Sequence, residues 1–401
     1  MLDGAMVFKL FEAFSIERWS DLVRPFHPVE MDKACEKMFL AFIVAKYEEK
    51  KGVKIDWMHL ITHSVFGLLE KIQLSDIKAP IQYIMRTTYS KDYQEVKEWI
   101  FSQYESLIDN NDFKSRFHSY LFDTKGEEKS LENDILFASH QMASLRELEM
   151  LKPTNEAFRV AKIMKSIKKD VWKYVHLDGV KSFLKKEETY KLITEIEKLR
   201  FQTRWNQTPR IPSTSVLGHS YFVSLLTLLM CYDLNLSDSR IYTNFFSGLF
   251  HDLPEAATRD IISPVKSATE RLPCVVKEIE RAVVEKELLP LIDDSYRREV
   301  LYYIQDEFEN RVIIDGKVRL IENYEELNTI YNEKKYCACD GKLVRFADQV
   351  AAFVEAESSI RFGITSTQLE NGRRGILENY PSTKKINGFP VDKFFSSFRA
   401  N

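Results

Sequence analysis

The sequence predicts an all-α protein, on three observations. Apolar side chains recur at helical spacing through most of the chain. Segments with strand-like alternation are few. Only 13 glycines and 12 prolines punctuate 401 residues, too few for a chain of many short strands and tight turns.

In chain order, residues 5–16 read as a short amphipathic helix, followed by Arg18, Trp19, Arg24 and Pro25. Residues 29–49 place Phe39, Phe42, Ile43 and Tyr47 on one inward face. A similar helix spans 56–72, and Ser75 to Pro80 reads as a turn. Helices are expected at 91–108 and 130–150, then after Pro153 at 154–173 and 179–202. Arg204, Trp205, Arg210 and Pro212 lead into a strongly apolar helix, 217–233, with His219 in its first turn. The next helix, 239–252, ends at His251-Asp252, and further helices are expected at 273–289 and 294–310. A last one follows Gly341 and carries Asp348, and residues 381–401 read as irregular.

Composition bounds the rest. With 44% hydrophobic and 29% charged residues, the chain is globular and can bury a sizeable core. Its length allows two or three domains. A net charge of -3 and a pI of about 6.3 provide no global basic field, so neither stable nucleic-acid binding nor membrane attachment is expected. The basic stretches 162–169 and 181–186 read as solvated helix faces. The apolar run from Phe222 to Tyr232 is too short to span a bilayer, and residues 1–5 lack the basic start of a signal peptide. Five cysteines, an odd number that includes Cys337 and Cys339, read as reduced thiols in a cytoplasmic protein. A homo-oligomer is allowed by this pattern.

The chain also carries a pattern that reads as an internal duplication, the alternative being coincidence among similar helical patterns. Arg-Trp with a second arginine beyond it occurs at Arg18, Trp19, Arg24 and again at Arg204, Trp205, Arg210, each before a long apolar helix. Asp76 to Pro80 resembles Asp260 to Pro264, and the stretch around His140 resembles that around Asp348. The spacing from Arg204 to His219 lands on Lys33 in the first copy, and the region of His63 offers His-Ser instead of His-Asp. The first half is therefore expected to be a scaffold without a metal site, with His63 and His140 packed or hydrogen-bonded.

Candidate chemistry gathers in the second half. His251-Asp252 supplies two metal-ligand side chains from adjacent positions, and neutral imidazole with carboxylate suits a divalent cation. His219 starts an apolar helix, and Asp348 lies among apolar neighbours, where an ionised carboxylate needs a cation or donor. Asp348 could instead pair with Arg345. Together His219, His251, Asp252 and Asp348 make a two-histidine, two-aspartate set. Glu255 lies one turn beyond the His-Asp pair, and Asp260 and Lys266 add a carboxylate and a cation.

This pattern resembles the HD-domain metal-dependent phosphohydrolases. Arg204-Trp205, His219, His251-Asp252, Glu255, Asp260, Pro264 to Lys266 and Asp348 are similar, more narrowly, to the branch that hydrolyses deoxyribonucleoside 5′-monophosphates. The likeness covers about 195–360. It implies an HD-type helical bundle at 196–401, a degenerate copy at 1–150 and bridging helices at 151–195. It implies one divalent ion (Mn, Co, Mg, Zn, Ni or Fe) on the four ligands and a nucleotide substrate. Glu255 would be the acid/base, and Asp260 would contact substrate or order its loop, as would Lys266. Arg204 would grip phosphate and Trp205 would wall the sugar or base, or serve as a core tryptophan. Arg210 would add to the phosphate's charge balance or cap a turn. Two other readings stay open: phosphodiester or triphosphate hydrolysis, and a non-catalytic nucleotide-binding module.

Overall fold

The computed structural model describes residues 1–123, 130–259, 269–380 and 385–398. It is mostly helical, as the periodicity predicts. In the first half α1 is Gly4–Phe11, α2 Glu30–Lys50, α3 Trp57–Leu74, α4 Ala79–Thr88, α5 Ser90–Tyr104, α6 Asn111–Phe122 and α7 Leu131–Leu151. Then come α8 Ala157–Trp172, α9 Asp178–Leu184 and α10 Glu188–Ile196. The second half holds α11 Val216–Asp233, α12 Asp238–Phe250, α13 Glu255–Thr258, α14 Leu272–Val283 and α15 Asp294–Ile304. It continues with β1 Asn310–Ile314, β2 Lys317–Leu320, α16 Tyr324–Thr329, β3 Cys339–Asp340, α17 Gly341–Arg361 and α18 Thr367–Asn379. A hairpin, β4 Lys385–Ile386 with β5 Phe389–Pro390, leads into α19 Val391–Ser397.

Several helix starts follow from a single side chain. Asp3, Asp56, Ser130 and Ser215 each accept a backbone N–H in the first turn of α1, α3, α7 and α11. Helix α11 is apolar enough, by length and composition, to cross a membrane, but nearly all of it is buried inside the protein. It is the central core helix, packed on α2, α12 and α17. One apolar core runs from Leu2 to Phe398, so the two halves share their interior.

Four expectations need correction. The 294–310 segment stops as a helix at Ile304, because its continuation joins an antiparallel sheet of order β2-β1-β3. The 179–202 segment breaks into two short helices and a 3₁₀ turn. A helix, α4, starts at Ala79 inside the expected turn, and α6 was not foreseen. The described part of the tail is ordered into the β4–β5 hairpin and α19. All five cysteines are free thiols.

The two Arg-Trp stretches adopt one construction. Arg18 N donates to Pro28 O (2.8 Å) and Arg204 N to Thr214 O (3.0 Å). A single antiparallel bridge closes each loop, Glu17 to Val29 and Thr203 to Ser215. Trp19 and Trp205 both take φ of 56°, a left-handed conformation that a bulky residue keeps only when its surroundings impose it. The imposing group is a buried glutamate. Arg18 Nε and Trp19 Nε1 donate to Glu147 Oε2 on α7, at 3.1 and 2.8 Å. Arg204 Nε and Trp205 Nε1 donate to Glu355 Oε2 on α17, at 3.2 and 2.9 Å. Burial pushes both carboxyls up, but Arg18 and Arg200 outweigh it for Glu147, and Arg204 and Arg210 for Glu355, holding each at about 2.

Glu355→Ala would leave Arg204 and Arg210 buried without their carboxylate. The expected loss is about 3–5 kcal/mol of unfolding free energy in a urea titration, and Glu147→Ala should cost as much. Because both folded carboxyls sit below the ordinary 4.5, their contribution is complete above that pH and drains away as pH falls toward about 2. In thermal melts the wild-type advantage over Glu355→Gln should therefore shrink through that window. An advantage that grows on acidification would contradict the ion pairing.

Candidate metal centre

Three segments deliver the candidate ligands. The Ser215 hydroxyl caps α11 by accepting Gly218 N–H (2.9 Å), which sets His219 in the first turn facing inward. Helix α12 ends at Phe250, and His251 to Pro254 form a turn. Pro254 then precedes the short helix α13, whose first residue is Glu255. Helix α17 carries Asp348 and, two turns on, Glu355. Its start is fixed from behind: Asp340 is buried and paired with Arg240 (2.6 Å) and Asn244 Nδ2 (2.8 Å). Gly341 follows, where a Cβ would lie 2.1 Å from Glu309 O, so only glycine lets β1 and α17 approach this closely.

These elements bring the four side chains together. His219 Nε2 lies 3.0 Å from Asp348 Oδ1 and 3.5 Å from Asp252 Oδ2, and His251 Nε2 lies 3.2 Å from Asp252 Oδ2. Ligand atoms of His219, His251 and Asp252 all fall within 4.8 Å of one another. Among the described residues this is the one such cluster of three or more. Both histidines are buried, yet neither Nε2 has a partner in hydrogen-bond geometry. His251 Nδ1 donates to Gly248 O (2.7 Å), which leaves the Nε2 lone pair to point into the cluster. Unpartnered buried nitrogens facing two carboxylates are what a divalent cation would satisfy, so the residues fit a metal.

The electrostatics agree. Burial pushes the Asp252 and Asp348 carboxyls up, but the histidines outweigh it and hold both below the ordinary range. Burial opposes charge on His251, but Asp252, Asp348 and the Gly248 carbonyl outweigh it and lift the ring to about 9. His219 is lowered, by burial first and then by the Arg204 charge. The carboxylates thus stay ionised, and one imidazole supplies positive charge that a cation would displace.

The other expected site residues divide. Arg204 sits at the edge of the cluster, held by Glu355 and 3.9 Å from Asp348 Oδ1. The Trp205 indole is anchored on Glu355 and lies against Gly372, where a Cβ would meet the ring at 2.5 Å. Gln202 Nε2 donates to Glu255 O (2.8 Å), tying α13 to the Arg-Trp loop. Of its two readings Arg210 takes the second: its side chain is 2% exposed, and it donates to Pro212 O, Arg204 O and Thr214 Oγ1, closing the turn. Asp260 and Lys266 lie outside the described residues. Two features went unforeseen. One is Glu355, although each copy has a glutamate two helical turns past His140 or Asp348. The other is a cavity of about 370 Å³ whose lining includes Gln349, the neighbour of Asp348, with Phe308, Glu309, Lys342, Arg345, Asn379, Tyr380 and Ile386. It is assembled from segments far apart in sequence.

Residues 196–376 match the family model of the HD domain. This segment is therefore similar to HD domains, which bind divalent metals and are generally metal-dependent phosphohydrolases. No curated protein matches the chain.

Metal analysis of the purified protein should find a divalent ion. His251→Ala and Asp252→Ala should each weaken its retention by at least ~10-fold, the cost typical even of an outer partner. Circular dichroism should show the helices intact. Full retention by both variants would remove them from the ligand set.

Proposed function

We propose that the chain is a metal-dependent phosphomonoesterase acting on nucleotides, foremost deoxyribonucleoside 5′-monophosphates. The observation that carries this reading is the convergence of His219, His251, Asp252 and Asp348 beside the Arg204 guanidinium. A divalent ion bound there would lower the pKa of a coordinated water and polarise the phosphoryl group. Arg204, already aligned by Glu355, would hold two phosphate oxygens with its planar fork. Glu355 keeps that guanidinium charged and fixed in direction before substrate arrives. Glu255 would hand a proton to the leaving 5′-oxygen or orient the attacking water. Its charge, with those of Asp252 and Asp348, acts on Arg204, as the proposed geometry needs.

The neighbouring cavity supports a nucleoside. Its volume of about 370 Å³ falls within the ~300–1,000 Å³ common for small-molecule sites. Phe308 and Tyr380 offer aromatic faces for a base, and Gln349 and Asn379 offer amides for its edge. Trp205 would then act indirectly, through the arginine it helps to position. Lys342 and Arg345 in the same cavity favour a second reading, hydrolysis of a nucleoside triphosphate, because they could balance a longer phosphate chain.

A panel of nucleotides with Mn, Co or Mg tests both. The expected product is inorganic phosphate from deoxynucleoside monophosphates; pyrophosphate or triphosphate would favour the second reading. Glu255→Gln should lower kcat about 10²–10⁴-fold with metal content unchanged. A metal-loaded protein that cleaves no nucleotide would sink the proposal.

A further inference from the structure

The first half repeats the frame of the metal centre with lysines at two of its four ligand places. Lys33 occupies on α2 the place His219 has on α11, three residues beyond each helix's first residue. Glu70 and Lys71 occupy on α3 the place of His251 and Asp252, thirteen and fourteen residues beyond the first residues of α3 and α12. His140 precedes Glu147 as Asp348 precedes Glu355. The counterpart of His251-Asp252 is thus Glu70-Lys71, not the region of His63, whose ring stacks on His59 at 3.6 Å. The contact between Lys33 Nζ and His140 Nε2, 3.4 Å, stands where His219 meets Asp348.

Lys37, one turn after Lys33, joins the group, and its charge and those of Lys33, Arg18 and Lys71 all act on His140. Among the described residues, none of these three lysines forms an ion pair with a carboxylate. Lys33 Nζ donates to Ser144 Oγ (2.5 Å) and Lys71 Nζ to Ile77 O (3.3 Å). The nearby carboxylates are engaged elsewhere. Glu30 and Glu147 hold Arg18, and Glu36 holds Arg200. Glu70 accepts from the hydroxyls of Tyr93 and Tyr120, and Asp76 from that of Ser20. Burial, joined at Lys33 by the Arg18 charge, pulls Lys33 down to about 7 and Lys37 to about 8 against the opposing pull of Glu30, Glu36 and Glu147, so the surroundings under-compensate the ammonium charge. His140 is exposed, so the cluster opens to solvent at that edge.

We propose that Lys33, Lys37, Lys71 and His140 form a metal-free anion site that takes a phosphate group, carried by inorganic phosphate or by a nucleoside monophosphate. Where the second half gathers ligands for a cation, the first half has gathered cations for an anion. This contrast stands whether or not the second half hydrolyses nucleotides.

The test is equilibrium dialysis of the full chain against radiolabelled inorganic phosphate, with EDTA present. One saturable phosphate per chain is expected. The double variant Lys33→Met, Lys71→Met should weaken it at least ~10-fold, the scale of one charge-assisted contact. His251→Ala should leave it unchanged. If the double variant does not fold, Lys37→Met, at a half-buried position, should weaken binding several-fold with the helical signal intact. A parallel dialysis with deoxyadenosine monophosphate separates the sources: tighter binding than phosphate assigns the nucleotide, equal or weaker binding the free ion. Absence of saturable binding by either, or binding lost in His251→Ala and untouched by the lysine variants, overturns the proposal.

Discussion

The structure depends on a buried carboxylate that must meet its cations. Removing Glu355 from water is costly, and Arg204, Arg210, Trp205 and Thr214 together offset that cost. The knot can form only if the Arg-Trp loop folds back onto α17. That requirement holds Trp205 at a backbone conformation it would otherwise avoid. It also fixes the rotation of α17, and with it the direction of Asp348, two turns before Glu355 on the same face. The ion pair is thus the framework, and the geometry of the candidate ligands follows from it.

The same knot in the first half does a second task. Glu147 binds Arg18 and Trp19 of its own loop, and it also accepts from Arg200 Nη1 (3.1 Å), which belongs to the approach to the second loop. The other arm of Arg200 reaches Glu36 on α2. Charge therefore crosses between the halves in a fully buried place, where breaking one partner strands the others. The apolar core is continuous, but this network decides how α2 and α11 register against each other.

What could be read beforehand follows from how local each signal was. The helices around 30–50, 57–74, 131–151 and 216–233 were legible because their apolar spacing is regular and their caps are adjacent in sequence. The small sheet was not, since the pairing of Arg311 with Leu320 and Cys339 is a tertiary fact on short segments. His251-Asp252 was legible as a dipeptide, and His219 and Asp348 as polar residues in apolar surroundings. Arg210 stays open between two readings in the sequence because an arginine near a site looks alike whether it grips a ligand or ties a turn; only its burial favours the second. Glu355 was hidden because a glutamate in a long helix normally faces water, and only the aligned copies distinguish it.

Gly218 stands at a close approach of the two halves. A Cβ there would come within 2.6 Å of both Asp32 Oδ1 and the Phe14 ring, and the Asp32 carboxylate also accepts from Ser215 Oγ (2.5 Å), the cap of α11. The residue beside the candidate ligand His219 is thus fitted to the first half as closely as to its own. A gene segment encoding the second repeat, cut free by recombination, would yield an α11 with one flank bare and its cap unbraced. The two halves are therefore one unit of stability: neither keeps its packing if the other is removed.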